Sequence, residues 1–382
     1  MSAKKTGDKG YKTEELIRRY FLEAGFYVIR SVLLQSHSQD LTDIDLWIYE
    51  RSATLARRRT IIDIKDKAKP QAAERLFFVK GLVEISQVDG GGVATSDSRK
   101  YLRELARSHG VLWLDGVDLQ RMKNSKQLQE VTRLTDEELT SLFAAVDKQR
   151  GGNFLKDSFI EIKSSVGDRF GPSSANSAID MFGAFCKEVI TAHPKSPSIN
   201  PYARMAYFAA SISAISLDFT SAESALRPFN ERADHLTNSI RYGDNLDQFN
   251  QTLKWAEAAI RDYTPNGAGV SQIFKDNFLK QLADVPAEGL AKITATLAQT
   301  DALFEIGKEL EQAAYALELR TFDQLSSNTK SYLGALLDFA DVDRAKFATA
   351  WEGPKTSATS KAITLIETSI PGELFGSPVE EK

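Results

Sequence analysis

Residues 41–65 read LTDIDLWIYERSATLARRRTIIDIK, and the fold turns on how this stretch is read. Two runs rich in alternating and β-branched residues flank a polar connection, the pattern of consecutive strands. Successive side chains of a strand point to opposite faces, so Ile61, Asp63 and Lys65 share one face and Ile62 and Ile64 the other. By the same rule Asp43, Asp45, Trp47 and Tyr49 lie together, with Ile44, Leu46 and Ile48 buried opposite. If the two strands are neighbours, Asp45 meets Asp63 beside Lys65.

Upstream, TEELIRRYFLEAGF places Leu16, Ile17, Tyr20, Phe21 and Ala24 at helical spacing, with Thr13 as N-cap and Gly25 as stop. YVIRSVLL follows as a strand. Downstream come a helix over about 71–87, a glycine-marked strand in GGGVATS, a helix in SRKYLRELARSHG and a strand in VLWLDG. The order α-β-β-β-α-β-α-β implies an antiparallel meander followed by parallel crossovers, hence a mixed sheet flanked by helices. From about Leu134 onward helical spacing takes over and strand-like alternation is scarce. We therefore read an α/β domain at 1–130, an all-helical domain at 131–365 and a loose tail at 366–382. Segments 164–177 and 191–201 read as small-residue loops.

Composition narrows the function classes. A 382-residue chain, 42% hydrophobic and 26% charged, exceeds the usual size of one domain and has ordinary globular composition. No apolar run approaches the roughly 18 residues of a membrane span, and the polar start lacks a signal segment, so a cytoplasmic protein without membrane contact is expected. The single cysteine, Cys186, lies in an apolar run and reads as core. His37, His109, His193 and His235 occupy unrelated contexts, so no zinc spacing exists and any metal is expected on oxygen ligands. Residues 1–130 hold 23 Lys and Arg against 18 Asp and Glu, whereas the remainder holds 25 against 34; the basic part is the better candidate for contact with phosphate.

Hydrolysis of a phosphodiester needs counter-charge for the developing phosphorane, a water of lowered pKa and a group that orients it. Two carboxylates and a lysine on adjoining strands supply the ligands and the orienting group. Mg²⁺ favours such a sparse oxygen set, keeping waters and taking up substrate phosphate oxygens.

The series Glu14 on the first helix, the strand AGFYVIRS, then DIDLWIYE, then IIDIK resembles the core of the PD-(D/E)xK, or restriction-endonuclease-like, nucleases. The continuation from RLFFVKGLVEI to VLWLDGVDL is similar to the second half of Mrr-type restriction endonuclease domains. The resemblance spans about residues 10–120. It implies an αβββαβ core, DNA as substrate, Mg²⁺ as cofactor with Mn²⁺ as substitute, and a restriction-type or anti-phage setting. Position by position it implies Asp45 and Asp63 as metal ligands together with the main-chain carbonyl of Ile64, Lys65 orienting water, and Glu14 assisting, with Glu15 as fallback. Ile44 stands where the family has Pro, Asp63 where Glu is commoner, and the Gln of many Mrr-type motifs is absent.

Other readings compete. Asp43 rivals Asp45 as a ligand; Asp45 is favoured because a buried-type leucine follows it. A second acidic-x-Lys, Glu161 and Lys163 in FIEIK, lacks an upstream acidic strand and reads as surface charge. Arg57, Arg58 and Arg59, with Lys67, read either as a phosphate grip or as a solvated hairpin edge. The helical domain is expected to supply target choice, homo-oligomerisation or docking of a defence-system partner. The alternative function is a catalytically silent nuclease-like module that binds DNA or assembles.

Overall fold

The computed structural model describes residues 4–36, 39–67, 71–130, 132–193, 196–244 and 246–350. The tail read at 366–382, the end of the helical stretch at 351–365 and His37 lie outside them. The first part of the chain runs α1 (Lys4–Glu23), β1 (Tyr27–Ser36), β2 (Gln39–Arg51), β3 (Arg57–Lys65), α2 (Ala72–Ile85), β4 (Gly90–Thr95), α3 (Lys100–Ser108), β5 (Val111–Leu114), α4 (Gly116–Asn124) and α5 (Lys126–Gln129). The second part, among the described residues, is helical: α6 (Asp136–Arg150), α7 (Phe154–Asp168), α8 (Pro172–Thr191), α9 (Ile199–Ser221), α10 (Phe229–Tyr242), α11 (Leu246–Tyr263), α12 (Gly267–Ala283), α13 (Ala287–Leu297), α14 (Ala302–Tyr315), α15 (Ser327–Phe339) and α16 (Arg344–Ala350). No described helix is long and apolar enough to cross a membrane.

The sheet order is β1-β2-β3-β4-β5. β1, β2 and β3 form an antiparallel meander, and β3, β4 and β5 pair in parallel. The mixed sheet expected from the alternation of strand and helix patterns is therefore present, followed by the expected helical region. α1, α4 and α5 cover one face, where Ile17, Phe21, Leu46, Ile48, Ile62 and Ile64 pack together. α2 and α3 pack over β4 and β5 through Leu76, Val79, Leu102 and Trp113.

The other face of β1 to β3 is closed by the helical region. Tyr27, Ile29, Trp47, Tyr49 and Ile61 belong to one continuous core with residues of α6 to α9 and α13 to α16. Trp47 meets Phe170 edge-on at 4.8 Å, and Tyr49 meets Phe304 at 5.8 Å. The Tyr49 hydroxyl donates to the buried Asp218 carboxylate of α9 at 2.6 Å. The split at residue 130 thus marks where strands give way to helices, while the main core spans it.

A buried charge network ties the same two parts together. Arg18 of α1, 1% exposed, donates to Asp136 at 2.9 Å and to Glu311 of α14 at 2.9 Å. Lys163 of α7 donates to Asp136 at 2.7 Å, as does the Tyr315 hydroxyl at 2.8 Å. Burial by itself would raise the Asp136 pKa, but Lys163, Arg18 and Arg30 outweigh it and hold the carboxyl well below its usual range. Removing one member of such a network leaves an uncompensated buried charge.

Several sequence expectations are corrected here. α1 begins at Lys4, so Thr13 lies inside the helix, its hydroxyl donating to Asp66 at 2.8 Å. FIEIK lies in α7; Glu161 is exposed as expected, but Lys163 is 5% exposed and neutralises Asp136. Segment 164–177 is mostly helix, interrupted only at 169–171, because Pro172 starts α8 at a position where its missing N–H costs nothing. Ile44 packs with the Trp47 core, not with Leu46 and Ile48.

Candidate active site

The departure at Ile44 comes from a kink opposite Asp45. The β1–β2 register pairs Arg30 with Leu46 and Val32 with Ile44, so Ser31, at φ 53°, falls between these pairs. A left-handed non-glycine residue costs roughly 1–2 kcal/mol. Its effect is to turn Val32 and Leu34 onto the face already occupied by Tyr27 and Ile29. Such strain is often concentrated where a side chain must be aimed.

Asp45 is the side chain aimed. The β2–β3 register runs from Arg51↔Arg57 to Leu46↔Ile62, and the next residues along it are Asp45 and Asp63. There the Asp45 carboxylate accepts the Ile64 N–H at 2.6 Å, taking the place of a main-chain acceptor on β2. The N–H and C=O of one strand residue point to the same edge, so the Ile64 carbonyl is directed to the Asp45 side as well. Burial, followed by Asp63 and Glu14, drives the Asp45 pKa up against the Ile64 hydrogen bond and Lys65, to about 7. Asp63, Glu14 and Lys65 thus all lie near enough to Asp45 to act on its carboxyl. Asp43 is exposed and lies opposite Leu33 of β1.

Lys65 is half-buried at the end of β3 and makes no ion pair or hydrogen bond with a described residue. Glu14 is half-buried and likewise has no hydrogen-bond partner; its pKa is raised by burial, and Glu137 and Asp136 add to this against Arg30. Glu15, the fallback, is instead committed to Arg18 and Arg19, both at 3.5 Å.

Asp63 departs from a cleft-exposed carboxylate. It is 7% exposed, and Arg75 of α2 clasps both its oxygens, Nε donating to Oδ2 at 2.7 Å and an Nη to Oδ1. Arg75 in turn lies over the Phe78 ring at 4.1 Å. This arginine was not singled out in the sequence. The sequence carries no local signal for it, because the contact depends on how α2 docks on β3.

The basic run is corrected as well. Arg57 forms an ion pair with Asp218 at 2.7 Å and its side chain is 3% exposed. Arg59 binds Asp89 at 3.3 Å and the Gln87 carbonyl at 2.7 Å. Both are held within the protein's own packing at the opposite end of β3 from Lys65; Arg58, with a 54% exposed side chain, points outward. Lys67 is exposed close to Lys65. The Asp-Gly-x-Asp stretch after β5 serves α4, with Asp115 and Asp118 forming its capping box and Arg103 bridging both.

A groove of about 890 Å³ runs along α1 between Tyr11 and Lys123 and reaches Asp66, the residue after Lys65. Another cavity, about 850 Å³, lies between α7, α8 and α10, away from the acidic pair. No family model, no curated protein and no solved structure matches this chain. What the fold defines is a mixed α/β protein with Asp45, Asp63 and Lys65 gathered near the C-terminal end of its central strand β3.

Proposed function

We propose that the chain is a metal-dependent endodeoxyribonuclease of the restriction-endonuclease-like fold, acting through Asp45, Asp63 and Lys65. The observation that carries this reading is the Asp45 carboxylate accepting the Ile64 N–H at 2.6 Å, which brings it against β3 between Asp63 and Lys65, reinforced by the Asp45 pKa of about 7. A carboxylate so disfavoured by burial and a neighbouring acid gains from a cation. The donor set fits a hard divalent ion: Asp45 has one oxygen without a partner, the Ile64 carbonyl is directed to the same side, and Glu14 is unpaired. Among the described residues no cluster of three or more acidic, His or Cys side chains is close enough to hold a metal alone, and Mg²⁺ needs only one or two carboxylates.

Bound there, Mg²⁺ would lower the pKa of water and offset charge on the phosphoryl group. Lys65, two residues from Asp63 on the strand and without an ion pair or hydrogen bond to a described residue, would orient an attacking water. Glu14, its pKa raised by burial, would take or give a proton from the α1 side. Lys67 and Arg58 are the exposed cations of the original set left for the DNA backbone. A restriction-type or anti-phage role rests on the sequence resemblance alone. Incubation with plasmid, linear and single-stranded DNA in Mg²⁺ or Mn²⁺ tests the activity; cleavage of at least one form is expected, and cleavage of none rejects it.

A second reading is favoured by Arg75. A guanidinium clasping Asp63 supplies the countercharge that a metal would supply, so the same fold can serve as a silent DNA-binding or assembly module. Calorimetric titration with Mn²⁺ separates the two. The nuclease reading expects binding that Asp45→Asn abolishes and Arg75→Ala strengthens; the module reading expects no binding in the parent and none in Asp45→Asn.

A further inference from the structure

α2 turns Ala72, Leu76, Val79 and Leu82 inward, yet its outer stripe is also apolar. Phe77 is 67% and Ile85 66% exposed, with Gly81 between them at four-residue steps. A surface helix ordinarily presents polar residues there. Gly81 is a second anomaly, because glycine weakens a helix interior relative to alanine. A Cβ at Gly81 would meet nothing within 4 Å, so no described neighbour requires the glycine. Gly91 and Gly92 of β4 differ: a Cβ on either would come within 2.5 Å of Val79 or Ile62. What Gly81 admits must approach from outside.

We propose that a second copy of this chain docks on this stripe, α2 lying antiparallel to α2 about a two-fold axis through Gly81. The stripe is its own complement. Phe77 and Ile85 are equally distant from position 81, so the axis sets each Phe77 against the partner's Ile85 and lets the two glycines bring the backbones close. On one flank the same operation sets Lys80 beside the partner's Glu84, opposite charges that are both exposed. Among the described residues Lys80 reaches only the His109 carbonyl, at 3.4 Å. Self-complementarity in shape and charge is what a two-fold interface demands. One helix pair of this length is a small contact, so dimerisation is concentration-dependent. The seat adjoins Phe78, which supports Arg75 on Asp63, and it lies on α2 rather than in the helical region.

The inference does not depend on cleavage. Sedimentation of the full chain over a concentration series should show a monomer–dimer equilibrium. Gly81→Arg should raise the dissociation constant by more than about tenfold, with the melting temperature of the monomer preserved because the side chain enters open space. Lys80→Glu and Glu84→Lys should each weaken the dimer, and the two together should restore it. A wild-type chain that stays monomeric throughout, or a dimer indifferent to Gly81→Arg and to the charge exchange, overturns the proposal.

Discussion

At the scale of single residues, Asp45 carries a testable pH signature. Its folded pKa of about 7 lies above the ordinary 3.8, so the folded metal-free protein holds a proton that the unfolded chain releases. Stability from this group is complete below about pH 4 and is lost as pH rises through about 7. Asp45→Asn keeps an acceptor for the Ile64 N–H without the charge, so its melting temperature should gain on wild type across that window. Parallel melting curves for the two from pH 4 to 8 check this, and a constant difference would contradict the burial of Asp45. The order of Asp45, Asp63 and Lys65 on two adjoining strands was legible from strand alternation, although the Ser31 kink breaks that alternation at Ile44. The Arg75 clasp was not, since it depends on how α2 docks on β3, which no local pattern records. Arg57 was misread for the same reason: its partner Asp218 lies 161 residues away.

At the scale of elements, the meander and the parallel half were both readable from alternation and helical spacing. What local spacing missed was the kink at Ser31 and the extension of α1 through Gly10, both of which tertiary packing imposes. Ile62 and Ile64 are 1% and 7% exposed, so truncation of either to Ala should cost roughly 2–5 kcal/mol. Chemical denaturation measures this, and near-neutral values for both would reject the β3 assignment. Gly92 makes the complementary case: a Cβ there would sit 2.5 Å from Ile62 Cδ1 and 3.1 Å from Leu112 Cβ. Gly92→Val should therefore overpack the sheet and cost about 1–3 kcal/mol, whereas Gly81→Ala should stabilise the monomer by about 0.4–1 kcal/mol.

At the scale of the whole molecule, the sequence suggests that residues 1–130 fold alone, and the packing argues otherwise. Without the helical region, Tyr27, Trp47, Tyr49 and Ile61 would face water, and Arg18, Arg51 and Arg57 would lose Asp136, Glu311 and Asp218. The full chain is expected to melt in one transition across both parts, and the isolated 1–130 fragment to lack fixed tertiary structure by near-ultraviolet circular dichroism. Asp136→Ala, which strands Lys163 and leaves Arg18 with Glu311, should cost about 3–5 kcal/mol. Sequence periodicity could not show this shared core, because it registers which face of an element is apolar and not which element covers it. The central claim is that the acidic pair and Lys65 form a working nuclease site, and the most direct test is DNA cleavage by wild type and Lys65→Ala in Mg²⁺ or Mn²⁺. Lys65 makes no ion pair or hydrogen bond with a described residue, so Lys65→Ala should melt nearly as wild type does and bind DNA nearly as well, yet cut nothing that wild type cuts. Undiminished cleavage by Lys65→Ala would contradict the assignment.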